Sequence, residues 1–446
     1  MKFVVIGGDA AGMSAASRAK RNRPDLEVTV LEQTGDVSYS ACGMPYNIAD
    51  ADREIDDLVV RQAQVFRDKQ GIDLRTGHRA TSIDRAAKRV RGEDRKGAAF
   101  EVPYDSLLIA TGASARLPHV PGVDLPGVVT LKSLEQGRRI KDFIRSQGVR
   151  KAVIIGMGYI ALEMVEALHE RHIQVDMVKP RPVFLPWMNE ELASEVKKEI
   201  ERHGVNMFLG EEIKGIEKTG HGLQVVCSNA ALEGEMVLAA VGIKPNSELA
   251  ADAGLDLGPS RSIAVDKALR TSDQAIYAAG DCADAFHVVT GQRAWIPLAL
   301  RANRAGWAVA DNVTGKGVEL PGIVGTVVFK VFDMQVARTG LCVPEAEEAG
   351  FDPVETVIKS RSRAHAHPNT STIWVQLVGD KTSGRLLGAQ LVGKEGAAHR
   401  VNAPAVALHA KMTVEDFSQS DLAYAPPFGP TWDPMLVAAN QLLKKM

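Results

Sequence analysis

The sequence predicts an α/β protein with two Rossmann-like dinucleotide-binding domains and a C-terminal α+β domain. Three observations carry this reading. A β-branched apolar run ends in a glycine-rich turn at the N-terminus, and the same arrangement returns in mid-chain from Gly156. Each arrangement is closed further along by a second apolar run that also stops at glycine. From about Thr326 the character changes, and alternating apolar runs replace the nucleotide-type pattern.

The first unit begins with residues 2–6, a strand-like run that stops at Gly7-Gly8-Asp9-Ala10-Ala11-Gly12. A small-residue helical pattern over 13–20 and a strand over 28–31 follow, ending in Glu32. The second unit repeats this as 153–155, Gly156-Met157-Gly158-Tyr159-Ile160-Ala161, a helix over 162–171 and a strand over 175–178. Such a turn lets backbone N–H groups approach a pyrophosphate at a helix N-terminus. The first fingerprint carries Asp9 where its middle glycine belongs. Leu107-Leu108-Ile109-Ala110-Thr111-Gly112 closes the first unit, and Val237-Leu238-Ala239-Ala240-Val241-Gly242 closes the second. Both read as buried parallel strands. Ile276-Tyr277-Ala278-Ala279-Gly280-Asp281 reads as a return to the first domain that brings Asp281 near its ligand. Runs at 326–332, 355–360, 372–378 and 386–392, with helical patterns at 396–411 and 433–445, predict an antiparallel sheet with helices on one face. The expected domains are 1–116 with 245–320, then 117–244, then 321–446.

At 446 residues the chain exceeds what one core organises, so several domains are expected. Lys+Arg of 53 against Asp+Glu of 55 leaves no basic excess for a nucleic-acid groove or a polybasic membrane surface. Cys42, Cys227, Cys282 and Cys342 lie far apart, without a C-x-x-C or a Cys/His pairing, so neither a disulfide framework nor a metal site is expected. No apolar stretch is long enough to span a membrane, and the N-terminal run is too short for a signal peptide. The expected location is cytoplasmic, with reduced thiols.

Between the first unit's second strand and its later elements lies Ser38-Tyr39-Ser40-Ala41-Cys42-Gly43-Met44-Pro45-Tyr46. Together with both fingerprints, Ala110-Thr111-Gly112, Ala279-Gly280-Asp281 and Pro245-Asn246, this resembles the flavoprotein disulfide reductases with two dinucleotide-binding domains, over essentially the whole chain. The resemblance implies FAD on the first unit, NAD(P)H on the second and a homodimer formed through the C-terminal domain. Cys42 stands alone, without the C-x4-C or C-x-x-C of other branches. Its surroundings look most like coenzyme A disulfide reductases and NADH-dependent persulfide reductases. Asp421-Leu422-Ala423-Tyr424-Ala425-Pro426-Pro427-Phe428, followed by Trp432-Asp433-Pro434, resembles the C-terminal signature of that branch. There the tyrosine reaches the partner subunit's active site. A rhodanese domain, often appended to persulfide reductases, is not expected before Met446.

The residues then take expected roles. FAD falls to Gly7, Gly8, Ala11, Gly12, Ser40, Thr111, Gly112, Gly280 and Asp281, with Glu32 placed for the adenosine ribose. The nicotinamide dinucleotide falls to Gly156, Gly158, Tyr159, Ile160 and Gly242. Lys179 stands where an acid would favour NADH, and Arg181 follows it; two cations suit a 2′-phosphate and hence NADPH, with NADH as the alternative. Cys42 is the expected redox residue. It follows a Ser-rich loop and precedes a helix-like stretch, a position expected to lower its thiol pKa. Cys227, Cys282 and Cys342 are expected to be packing residues, Cys342 at the end of a strand. Tyr424 is the expected proton donor across the dimer. His367, in Ala366-His367-Pro368-Asn369, stands where the branch commonly carries a second interface tyrosine; it either replaces that acid or is solvated. Lys20, Arg21 and Arg23 either favour the helix C-terminus or bind coenzyme A phosphates with Arg61; Ser38 is a further expected substrate contact.

The expected reaction is NAD(P)H-dependent reduction of coenzyme A disulfide, or of coenzyme A persulfide or polysulfide, through a mixed disulfide on Cys42. Two alternatives stand beside it: an NADH oxidase or peroxidase that cycles a cysteine sulfenic acid, and a non-catalytic flavoprotein redox sensor. Ala10 occupies the position at which the peroxidase branch usually carries histidine, which argues against peroxide chemistry.

Overall fold

A computed structural model describes residues 1–446. The internal repeat is realised strand for strand. In the first domain the parallel sheet runs Ile276–Ala278, Ser106–Ile109, Lys2–Ile6, Glu27–Glu32, Asp73–Thr76. In the second it runs Val128–Val129, Met236–Ala239, Lys151–Ile155, Gln174–Lys179, Asn206–Leu209, the same order of parts. The outermost strand of the first sheet comes from late in the chain, whereas its counterpart in the second precedes the unit. This is why the first domain is discontinuous. A two-stranded ribbon, Ala113–Ala115 against Ile243–Pro245, joins the two domains next to the glycines that close each sheet.

The central strands are Val/Ile/Leu runs buried on both faces, as a sheet covered by helices requires. The helices Ala10–Asn22 and Tyr159–Glu170 start directly after the glycine turns. Each domain also carries an antiparallel meander that periodicity did not reveal: His78–Asp84, Arg89–Asp94, Ala99–Pro103 in the first and Ile213–Thr219, Gly222–Cys227, Ala231–Gly234 in the second.

The C-terminal domain is a five-stranded antiparallel sheet ordered Val327–Val331, Met334–Gly340, Leu386–Gly393, Thr372–Asp380, Pro353–Arg361. The helix expected over 396–411 is two pieces, Ala397–Arg400 and Asn402–His409. Cys342 does not end a strand. It caps a short helix, Val343–Glu348, in which the Cys342 backbone N–H donates to the Glu345 carboxylate. The second nucleotide domain docks on this sheet: buried Glu166 pairs with Lys330 and accepts from Phe332 N at 2.8 Å, while His203 stacks flat on Phe332. No helix is long and apolar enough to cross a membrane.

Candidate active site

A continuous cleft of about 2200 Å³ runs from the first glycine turn, past Cys42, to the second glycine turn. The backbone geometry of the two turns explains their glycines. Gly7 and Gly156 have φ of 112° and 113°, and a Cβ there would lie 2.1 Å from Ala110 O or 2.3 Å from Ala240 O. A Cβ on Gly12 would lie 1.9 Å from Gly7 O, so helix and turn touch. This is a cradle that a flat backbone fills and a side chain would block, which fits a dinucleotide pyrophosphate.

Glu32 ends its strand facing the cleft. Its carboxylate accepts from Gly8 N at 2.8 Å and from Thr34 N and Oγ1 at 2.7 Å each. Thr111 Oγ1 donates to Asn246 O at 2.6 Å, tying the first unit's closing glycine loop to the return segment. The Gly280–Asp281 turn is held from behind by buried Arg301, which donates to Gly280 O at 3.0 Å and Ala283 O at 3.1 Å. These residues fit FAD, with Asp281 and Lys132 facing the cleft as an ion pair of 3.0 Å.

The second unit presents different chemistry. Gly156, Gly158, Tyr159, Ile160, Lys179, Arg181 and Gly242 all line the cleft. Lys179 Nζ donates to Val183 O at 2.9 Å, and burial followed by the neighbouring Arg181 charge push its ammonium pKa down. Two like charges held together without a carboxylate partner make a ready seat for an anion. Tyr159 packs edge-on to Trp187, and Arg338 lies over that indole.

Cys42 lies in a single 3-10 turn, Ala41–Gly43, leading into a helix of six residues, Met44–Ala49. It is the exposed cysteine of the chain and opens into the cleft; Cys227, Cys282 and Cys342 are buried, as expected of packing residues. The expected lowering of its pKa is corrected. Burial pushes the Cys42 thiol up, the nearby Glu163 carboxylate adds to the push, and Lys132 opposes it. The helix behind is too short, and the acids too close, for its dipole to dominate.

Glu163 and Lys132 were not legible as site residues. Glu163 accepts from the Tyr46 hydroxyl at 3.0 Å, and burial pushes its carboxyl up. It sits one helical turn past Tyr159, a spacing that places both on one face. Lys132 has no local signal at all, because the fold alone brings it to Asp281.

The remaining expected residues lie away from the cleft wall. Lys20 Nζ donates to Pro24 O at 2.7 Å and Leu26 O at 3.1 Å, and Arg23 faces Asp25, so only Arg21 of the cationic trio is without a polar partner. Lys20 is thus engaged by the backbone after the helix and Arg23 by the Asp25 carboxylate, contacts that go with the helix-terminus alternative. Arg61 stacks over Phe66, and Ser38 O accepts from Val60 N at 2.8 Å. Ser40 N donates to Leu58 O at 2.8 Å. His367 is half-buried, its Nδ1 2.9 Å from Pro368 O. Tyr424, Phe428 and Trp432 are 49%, 79% and 63% exposed, an aromatic surface on one loop. Half-buried Arg400 holds that loop: it donates to Asp433 Oδ2 at 2.8 Å, Phe428 O at 3.0 Å and Ser362 O at 3.2 Å. Ala364 N donates to Pro426 O at 3.1 Å, so the His367 and Tyr424 loops are joined. No cluster of three His, Cys, Asp or Glu side chains is arranged to hold a metal ion.

Residues 1–306 match the family model for pyridine nucleotide-disulphide oxidoreductases, and residues 326–435 match that family's dimerisation domain. The chain is 38% identical, over 99% of both sequences, to a CoA-dependent NAD(P)H sulfur oxidoreductase of Pyrococcus furiosus. An NADH oxidase of Methanocaldococcus jannaschii is 31% identical over 100% of this chain and 99% of that one. A solved NAD-dependent persulfide reductase of A. fulgidus superposes with a TM-score of 0.96 at 38% identity, covering 100% of this chain and 83% of that structure. The two nucleotide cradles, the exposed cysteine between them and these matches lead to one conclusion: the chain belongs to the pyridine nucleotide-disulphide oxidoreductases and is an oxidoreductase that works with FAD and a nicotinamide dinucleotide.

Proposed function

We propose that this chain reduces coenzyme A persulfide, polysulfide or disulfide with NAD(P)H, NADPH being preferred, through a mixed disulfide on Cys42. The observation that carries the reading is the solitude of Cys42: it opens into the cleft between the two cradles, and every other thiol is buried. The second sulfur therefore comes from the substrate. The similarity to a CoA-dependent NAD(P)H sulfur oxidoreductase supports a coenzyme A-derived acceptor.

The cycle balances with this chain's own groups. The Cys42 thiolate attacks a sulfur of the acceptor, forms Cys42–S–S–R and expels thiolate or hydrosulfide. Two electrons and one proton, entering together as hydride from NAD(P)H, then cleave that bond, restore the Cys42 thiolate and release R–SH. FAD, held by Glu32, Asp281 and the first glycine turn, supplies the two-electron relay when bound. Tyr424, on its exposed loop, serves as proton donor from the second copy of a homodimer. Lys179 and Arg181 select NADPH by pairing with its 2′-phosphate. Four unpaired thiols suit a cytoplasmic setting.

The mass of Cys42 in protein as purified tests the reading. A coenzyme A adduct is expected, together with loss of NADPH:coenzyme A disulfide and persulfide turnover in Cys42→Ser. A sulfenic acid, with peroxide turnover above coenzyme A disulfide turnover, would replace it with oxidase or peroxidase chemistry.

A further inference from the structure

Asp9 replaces the middle glycine of the first fingerprint, and neither the phosphate cradle nor the redox chemistry accounts for it. It occupies the N-cap of the Ala10–Asn22 helix, yet its side chain makes no capping hydrogen bond there. The carboxylate reaches the segment before the redox turn instead, and Oδ1 accepts from Tyr39 N at 3.2 Å. One residue earlier, Ser38 N donates to Gly8 O at 3.0 Å. Two consecutive amides of the segment entering the redox turn are thus fastened to two consecutive residues of the phosphate loop. Ser38 itself holds a left-handed φ of 49°, a conformation a serine keeps only where its surroundings impose it. Three residues after Tyr39 comes Cys42.

We propose that Asp9 is a positioning residue for Cys42. It ties the backbone leading into the redox turn to the loop that cradles the flavin pyrophosphate, so that the sulfur is placed by the flavin-binding loop. The proposal rests on Cys42 being the redox residue. Its logic is geometric: a glycine at position 9 would leave the cradle intact and remove the side-chain tie to Tyr39 N, leaving only the backbone bond from Ser38 N to Gly8 O. Burial in the cleft, beside Glu32 and Asp281 and opposed by Lys132, pushes the Asp9 carboxyl up to about 6. The charge is therefore costly where it stands, and the hydrogen bond it makes offsets part of that cost.

The test compares Asp9→Gly with Asp9→Asn in the full-length holoenzyme. Asparagine keeps an oxygen for Tyr39 N, whereas glycine restores the fingerprint and removes the acceptor. In Asp9→Gly, flavin content and the KM for NADPH are expected to hold while kcat falls about tenfold and iodoacetamide alkylation of Cys42 quickens about tenfold, because a loosened loop misplaces the sulfur. Asp9→Asn is expected to stay within about threefold of the parent on both readouts. An Asp9→Gly enzyme matching the parent in alkylation and kcat would overturn the proposal, as would an Asn variant that fails as badly as glycine. Cys42→Ser separates the two levels: its continued turnover would overturn the redox role of Cys42, while alkylation of the Asp9 variants still decides the tie.

Discussion

The two nucleotide units of this chain are the same construction with different chemistry, most plainly at two positions. Strand order, and the φ and carbonyl contacts of the first glycine, agree between them. They differ at the middle fingerprint position, Asp9 against Gly158, and at the end of the second strand, Glu32 against Lys179. The shared parts build a pyrophosphate cradle, which any dinucleotide satisfies. The differing parts choose the dinucleotide and, in the first unit, reach beyond it to the redox loop. Fold and selectivity are thus held by separate residues, and each can be broken without the other.

Breaking the shared part has the largest effect, and it should split cleanly. Gly7→Val places a branched side chain at φ 112° against Ala110 O, so the variant is expected to purify without flavin, read as the 450 nm absorbance per chain. Gly156→Val makes the same collision with Ala240 O and is expected to keep its flavin while losing measurable NADPH-dependent flavin reduction. Backbone strain of this kind costs on the order of 1–3 kcal/mol before the clash is added. Loss of flavin in both variants would mean that the two cradles are not independent.

The next effect separates Asp9 from Gly158. Because the folded-state pKa of Asp9 is raised from 3.8 to about 6, folding favours its protonated form. Stability from this group is therefore fully present below about pH 4 and is lost as pH rises through about 6. The loss is up to about 3 kcal/mol in the flavin-free chain, from a shift of about two units. Urea midpoints of flavin-stripped parent and Asp9→Asn should coincide at pH 4 and diverge by pH 7.5, with the Asn variant more stable. Parallel curves would remove the buried carboxylate from the account. Gly158 offers no such group at the corresponding position of the second unit.

Much of this arrangement is legible in the chain itself. Glycine spacing, unbroken apolar strands and Glu32 all follow from local pattern, because a cradle is made by residues adjacent in sequence. The meander from His78–Asp84 to Ala99–Pro103 leaves no clear pattern because its strands are short and carry many charged residues, with only scattered buried positions. Lys132 and Glu163 escaped for another reason: each reaches the site from a different element, and no spacing records that meeting. The raised Cys42 pKa is hidden from the sequence on the same ground. The helix behind it is local, whereas Glu163 and Asp281, which oppose its ionisation, are not.

Selectivity is the third handle. If Lys179 seats a 2′-phosphate, Lys179→Glu turns the second strand end into a copy of the first and should favour NADH. Loss of one charge-assisted contact, worth about 1.5–3 kcal/mol, predicts a fall of about 10- to 100-fold in the NADPH:NADH ratio of kcat/KM. Flavin content should not move. An unchanged ratio would assign the seat to Arg181 alone or to neither cation.

The smallest effect is the mirror of that experiment at Glu32. Its carboxylate accepts from Gly8 N, Thr34 N and Thr34 Oγ1, so it organises the turn as well as facing the nucleotide. Glu32→Gln keeps the length and one acceptor oxygen, but it brings an amide N–H toward at least one of those donors. A lost hydrogen bond of this class is worth about 1 kcal/mol, which predicts FAD binding weakened about tenfold or less. Fluorescence titration of flavin-stripped protein reads this directly. The KM for NADPH should stay at the parent value, since the second cradle has its own strand end in Lys179. A rise in both constants would mean that the strand-end residues support the fold between the units, and the division between shared construction and selective chemistry would fail at this position.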